Sequence, residues 1–190
     1  MTATTPLGEV LRDADGVSLR FQRSYATHVD DLWSAITDPG RCTRWLGTWS
    51  ADPASGTVDF TMTAEDGAGP EPVTIETCEP PRHLALTFTT ADGPWPLEVT
   101  LTERDGSTEL VFIHHLVEPY DASSVGPGWQ YYLDRLDATL TGDPLTQDFA
   151  DYTPPSPTPT PCRPHRPKVP SSPMTGLLAF DPDRLIERPP

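Results

Sequence analysis

Lysine is almost missing from this 190-residue chain: Lys168 is the single one, beside 12 arginines. All basic residues together number 13 against 28 acidic ones, a formal net charge of −15. The shortage is concentrated in residues 1–152, which hold 8 basic and 25 acidic side chains. Such a surface repels phosphate backbones and anionic headgroups, which argues against nucleic acid and membrane surfaces as partners. No apolar run approaches the ~18 residues of a spanning helix, and Met1–Gly16 lacks the apolar stretch of a secretory leader. The expected compartment is therefore the cytoplasm. Cysteine is scarce too. Cys42, Cys78 and Cys162 form no Cys-x-x-Cys pair, and an odd number suits a disulfide framework poorly. With His28 and His83 they show no zinc-type spacing, so neither metal nor other cofactor is expected. No Gly-x-Ser-x-Gly elbow occurs, and Gly126-Pro127-Gly128 lacks the lysine of a phosphate loop.

Proline is present in quantity, and its placement divides the chain. Twelve of the 24 prolines lie between Pro154 and Pro190. Proline fixes φ and donates no backbone hydrogen bond, so that stretch cannot build a sheet or a long helix. The expected organisation is an N-terminal extension over 1–16, a folded domain over 17–152 and a disordered proline-rich tail over 153–190. In the tail, Pro161, Pro164, Pro167, Pro170 and Pro173 recur every third residue, which places them on one ridge of a polyproline II helix. Flanked by Arg163, Arg166 and Lys168, this ridge reads either as a semi-rigid linker or as a dock for a protein partner's aromatic groove. Leu177, Leu178, Phe180, Leu185 and Ile186 add a short apolar segment.

Within 17–152 the hydrophobic period sets the elements. Val17, Leu19 and Phe21 alternate with polar residues, which predicts a strand. Thr27-His28-Val29-Asp30 reads as a helix start with Thr27 as cap, and Asp30-Asp31 suit its dipole. Val29, Leu32, Trp33 and Ile36 form one helical face. Asp38-Pro39 ends that helix and starts a short second one carrying Cys42, Trp45 and Leu46 inward. Alternation then predicts strands around Val58–Met62, Val73–Glu76, Leu84–Thr89, Leu97–Thr102 and Leu110–Leu116, with turns at 66–70, at Asp92-Gly93-Pro94 and at Asp105-Gly106. Connections this short join antiparallel strands. Trp95, in a Gly-Pro-Trp-Pro turn, is expected at a cavity rim. Trp129, Tyr132, Leu133, Leu136 and Leu140 trace a long helix ending at Gly142, with its start obscured by Gly126-Pro127-Gly128. A one-faced apolar sheet needs a cover, and this helix is the longest available.

Three segments carry a family resemblance: Val29-Asp30-Asp31-Leu32-Trp33-Ser34-Ala35-Ile36-Thr37-Asp38-Pro39 followed by Trp45, Leu110-Val111-Phe112-Ile113-His114-His115, and Gly128-Trp129-Gln130-Tyr131-Tyr132-Leu133-Asp134-Arg135-Leu136. With their order, the chain resembles the START-like SRPBCC superfamily, in the branch of activator of Hsp90 ATPase homologues. The resemblance implies an α+β helix-grip fold: a curved antiparallel sheet wrapped around a long C-terminal helix, with two short helices after the first strand and a cavity between sheet and helix. It does not imply one activity.

The candidate cavity residues are Trp33, Trp45, Phe60, Phe88, Phe112, His114, Trp129 and Tyr132, each of which also reads as ordinary core. His114 shares the apolar face of its strand and is expected buried, with His115 exposed on the other face. His114 and Tyr132 are the candidate catalytic pair, as base and acid. The leading reading is binding of a small hydrophobic molecule without catalysis. The alternatives are a cyclase-, dehydratase- or hydrolase-like enzyme acting on a hydrophobic carbonyl compound, and a chaperone-associated or other protein-interaction module.

Overall fold

The computed structural model describes residues 8–14, 16–50, 53–63, 65, 68–91, 93–118, 121–144 and 148–152. The polyproline ridge and the Leu177–Ile186 segment lie outside the described residues.

Eight strands form one antiparallel sheet: β1 (Glu9–Arg12), β2 (Val17–Tyr25), β3 (Gly47–Ser50), β4 (Thr57–Met62), β5 (Glu71–Glu79), β6 (His83–Thr90), β7 (Gly93–Arg104) and β8 (Ser107–Leu116). Their spatial order is β1-β2-β8-β7-β6-β5-β4-β3. After β2 the chain passes through helices α1 (Val29–Thr37) and α2 (Pro39–Cys42), then re-enters the sheet at its opposite edge as β3. A meander from β3 to β8 returns it to β2, where Phe21 lies opposite Phe112. Helix α3 (Ala122–Thr141) follows and packs on the same apolar face. This is the helix-grip fold, a curved sheet around a long C-terminal helix.

Two strands extend the sheet beyond the sequence expectation. Residues 9–12, read as part of an extension, pair with β2, and Gly47–Ser50 pairs with β4. Each is four residues long, too short for a period of two to stand out. The two short helices consequently follow the second strand.

The caps show which local signals were sufficient. Asp38 caps α2 by accepting from the Arg41 backbone N–H at 2.9 Å, with Pro39 at the first helical position. Gly142 closes α3 in the left-handed conformation at φ 78°. Asp105 and Gly106 both have positive φ (52° and 77°) in the β7–β8 hairpin loop, the requirement of a type I′ turn. Thr27, by contrast, does not cap α1: its hydroxyl donates to Asp31 at 2.8 Å. The cap comes from β7, where the Glu103 carboxylate accepts the Val29 N–H at 2.9 Å. That bond, with His28 beside it, holds the Glu103 carboxyl below the usual range. Helix α3 begins ahead of Gly126-Pro127-Gly128, because Asp121 accepts from the Ser123 and Ser124 N–H groups and Ser124 reaches back to the Asp121 N–H. A complete capping box offsets the poor propensity of the turn behind it.

Leu19 and Phe21 are buried in the same core as Trp129 and Leu136, while Val17, nearer the strand end, is half-buried. Trp95 is not in a turn; it is a β7 residue opposite Phe88. Residues 148–152 pack on α3. The Tyr152 hydroxyl donates to Asp134 at 2.9 Å, and the Phe149 and Tyr152 rings lie 5.6 and 5.5 Å from that of Tyr131.

Two substitutions test this packing. A Cβ at Gly47 would strike the Thr61 carbonyl oxygen and come within 2.5 Å of the Phe60 ring. Gly47→Ala is therefore expected to lower unfolding free energy by about 1–3 kcal/mol in urea denaturation; an unchanged midpoint contradicts the close β3–β4 approach. Tyr152→Ala is expected to lose about 1–2 kcal/mol, whereas a chain ending at Thr153 should melt like the full chain. A large loss on that truncation would move the domain boundary into the tail.

Candidate functional site

Alternate side chains from five strands converge on one space. Val58 and Phe60 of β4, Val73 and Ile75 of β5, Leu84, Leu86 and Phe88 of β6, Leu97 and Val99 of β7, and Leu110 and Phe112 of β8 supply the sheet wall. Trp33, Ile36 and Thr37 of α1, Cys42 of α2, Trp45, Leu46 and Trp49 beyond it, and Trp129 and Leu133 of α3 supply the rest. Together with Cys78 they enclose a cavity of about 260 Å3. Val73, Leu110 and Leu133 are at most 2% exposed and form its floor. Trp33, Ile36, Trp49, Ile75 and Leu84 are half-buried and Cys78 is exposed, so the mouth opens between α1 and the β5–β6 hairpin.

Cys78 reaches the mouth through a backbone irregularity. Regular alternation from Val73 and Ile75 would point Thr77 and Glu79 inward. The register shifts between Ile75 and Thr77, and Cys78 then stands opposite Leu84 on the cavity face. A bulge inserts one residue and so exchanges the faces of a strand beyond it.

Four polar groups of the lining are bonded within the protein. The Trp45 indole N–H donates to the Ala35 carbonyl at 3.0 Å, and that of Trp49 donates to the Thr37 carbonyl at 2.9 Å. The Thr37 hydroxyl donates to the Trp33 carbonyl at 2.8 Å. Trp129 packs on Phe112, ring centroids 4.5 Å apart, and its N–H donates to His114 Nδ1 at 3.0 Å. Burial pushes the Cys42 thiol up to about 12, leaving it protonated and unreactive at neutral pH. Apart from the Trp33 indole, what remains facing the space is hydrocarbon, aromatic ring and sulfur.

Of the residues expected from sequence, Trp33, Trp45, Phe60, Phe88, Phe112 and Trp129 line this cavity. His114 and Tyr132 do not line it, nor does Trp95. His114 is fully buried, its ring 5.1 Å from that of Trp95 and 6.0 Å from that of Trp129. Because an indole N–H only donates, the Nδ1 it meets is unprotonated and the neutral imidazole carries its proton on Nε2. The Tyr132 hydroxyl donates to Glu65 at 2.7 Å, and burial followed by that carboxylate raises its pKa. The two candidate catalytic groups are thus committed to different partners, Trp129 and Glu65. His115 lies on the outer face, exposed, with Ser18 Oγ at 3.2 Å and Glu98 at 3.4 Å. Among the described residues, no three His, Cys, Asp or Glu side chains form a group able to hold a metal ion. Nor is any described helix long and apolar enough to cross a membrane.

Burial first, and the neighbouring His115 second, lower the His114 pKa from 6.5 to about 4. The unfolded chain therefore takes up this proton before the folded one as pH falls. Its contribution to stability is present above about pH 6.5 and lost as pH falls through 4, a change of about 3 kcal/mol. His114→Asn keeps an acceptor for Trp129 and does not titrate. The stability advantage of the wild type over this variant is expected to shrink by that amount between pH 7 and pH 4 in urea denaturation; a constant difference contradicts it.

Solved structures with this fold span bacterial proteins of several kinds. CalU16 from Micromonospora echinospora is 26% identical with a TM-score of 0.60, over 77% of this chain and 88% of that one. The product of gene BPP1335 of Bordetella parapertussis is 26% identical with a TM-score of 0.59, over 80% and 94%. A protein from Arthrobacter aurescens, at 20% identity and a TM-score of 0.58 over 70% and 91%, shares the fold. Among curated proteins, none matches the chain. The family model of the activator of Hsp90 ATPase homolog 1-like proteins matches residues 26–141, well over half the chain, and the chain belongs to that family, within the helix-grip SRPBCC superfamily.

Proposed function

We propose that this helix-grip domain binds a small hydrophobic molecule in the cavity between the sheet and its helices. The observation that carries this reading is the cavity itself: about 260 Å3 of space bounded mostly by hydrocarbon and aromatic side chains. Protein interiors are close-packed, and a void lined by Leu and Val forfeits dispersion contacts that filling side chains would recover. An opening beside Cys78 gives a ligand a route in. The volume lies near the small end of ligand pockets, roughly 300 Å3 and upward, which suits a compact molecule rather than a long lipid.

The reading assigns no reaction. Among the described residues, the walls present no nucleophile beside a base, and His114 and Tyr132, the acid–base candidates, are held outside the lining. Trp33, Trp45, Phe60, Phe88, Phe112 and Trp129 act as binding surface.

The position of Cys78 supplies a site-specific test. In a Cys162→Ser background, the neutral dye N-phenyl-1-naphthylamine is expected to gain fluorescence saturably, raise the melting temperature and slow alkylation of Cys78. At a free concentration 100 times its Kd, the added stability should be about 2.7 kcal/mol. A broad screen of neutral aromatic and polycyclic compounds that gave neither a thermal shift nor Cys78 protection would contradict ligand binding.

A further inference from the structure

We infer that the ligand of this cavity carries no anionic group: the site takes uncharged apolar molecules and rejects the carboxylates, sulfonates or phosphates of the same shape. This rests on the ligand-binding reading above and narrows it.

An anion buried in a protein needs a cation, convergent N–H donors or the N-terminus of a helix. Cations come first. Residues 1–152 hold eight basic residues, all arginine, and none lines the cavity. Four are engaged elsewhere: Arg20 with Glu9, Arg23 with Asp134, Arg41 with Asp31, and Arg135 with the carbonyls of Trp45 and Arg44. Among the described residues, no histidine lines the space either.

Most donors are also spent. Of the four lining tryptophans, three have their indole N–H groups committed: Trp45, Trp49 and Trp129 point at Ala35, Thr37 and His114. The Trp33 indole is a lone donor, short of the convergent set an anion needs. The helix N-termini, which would otherwise attract an anion, are each occupied by a carboxylate of the protein. Glu103 holds the Val29 N–H of α1, Asp38 holds the Arg41 N–H of α2, and Asp121 holds those of Ser123 and Ser124 in α3. Beyond the walls, 25 acidic residues against 8 basic ones give the domain a field that repels an approaching anion. An anionic ligand would therefore surrender its hydration without compensation, whereas a neutral one surrenders only ordered water around apolar surface.

Matched pairs isolate the charge. Methyl 2-naphthoate and 2-naphthoate, and methyl 9-anthroate and 9-anthroate, differ by one methyl and one charge at pH 7.5. Affinities follow from quenching of tryptophan fluorescence, with Cys78 protection reporting the location. The expected result is that at least one ester binds and its carboxylate binds on the order of a hundredfold more weakly. A carboxylate within about tenfold of its ester overturns the inference while leaving ligand binding intact. If neither member of either pair binds, the ligand-binding reading and this inference fall together.

Discussion

The concave face of the sheet is wider than one helix can cover. Eight strands at ~4.8 Å spacing span roughly 35 Å before curvature, and a helix with its side chains is about 10–12 Å across. An antiparallel sheet with one apolar face must hide that face from water. Curvature shortens the distance, α3 covers the β2–β8 side through Trp129, Leu133 and Leu136, and α1 with α2 covers part of the remainder through Leu32, Ala35 and Cys42. The covers do not close on each other completely, and the residual gap is the cavity. Its existence follows from the mismatch of shapes, and its apolar character follows from the face it lies on.

Polar groups near the gap are kept from spoiling it. Three of the four lining tryptophans, Trp45, Trp49 and Trp129, have an acceptor for the indole N–H within the protein: Ala35, Thr37 and His114. Leaving such a donor buried and unpaired costs about 1–3 kcal/mol, so these bonds let large aromatic surfaces line the space without penalty. His114 has a structural part in this arrangement, as the acceptor that orients Trp129 against Phe112. Arg135 does similar work at the other end, donating to the Trp45 carbonyl at 3.0 Å and so tying the α2–β3 connection to α3.

Much of this was legible in the sequence because it depends on short-range periodicity. Alternation at Leu110, Phe112 and His114 gave the buried face of β8, and the exposure of His115 followed. Asp38-Pro39, Asp105-Gly106 and Gly142 each announced a backbone conformation that few other residues adopt. What escaped depends on distant partners or on backbone irregularities. The α1 cap is Glu103, 74 residues away from the N–H it accepts. The α3 start is set by Asp121, which outweighs the Gly-Pro-Gly behind it. Cys78 faces the cavity only because of a bulge that no pattern of apolar residues marks. Trp49 was missed with its four-residue strand. His114 and Tyr132 were placed on the right faces, yet a face is not a position: which inward side chains border the gap, and which are packed beside it, depends on where α1, α2 and α3 fail to meet.

The central claim is that an uncharged apolar molecule enters this gap. Methyl-labelled NMR of the protein with the neutral methyl 2-naphthoate tests it most directly. The account predicts chemical-shift changes and intermolecular contacts at the methyls of Val73, Leu110 and Leu133, which form the floor of the cavity, with Val10 and Val117, exposed on the surface, unaffected. Contacts confined to Val10 or Val117, or no change at the floor residues at saturating ligand, would contradict it.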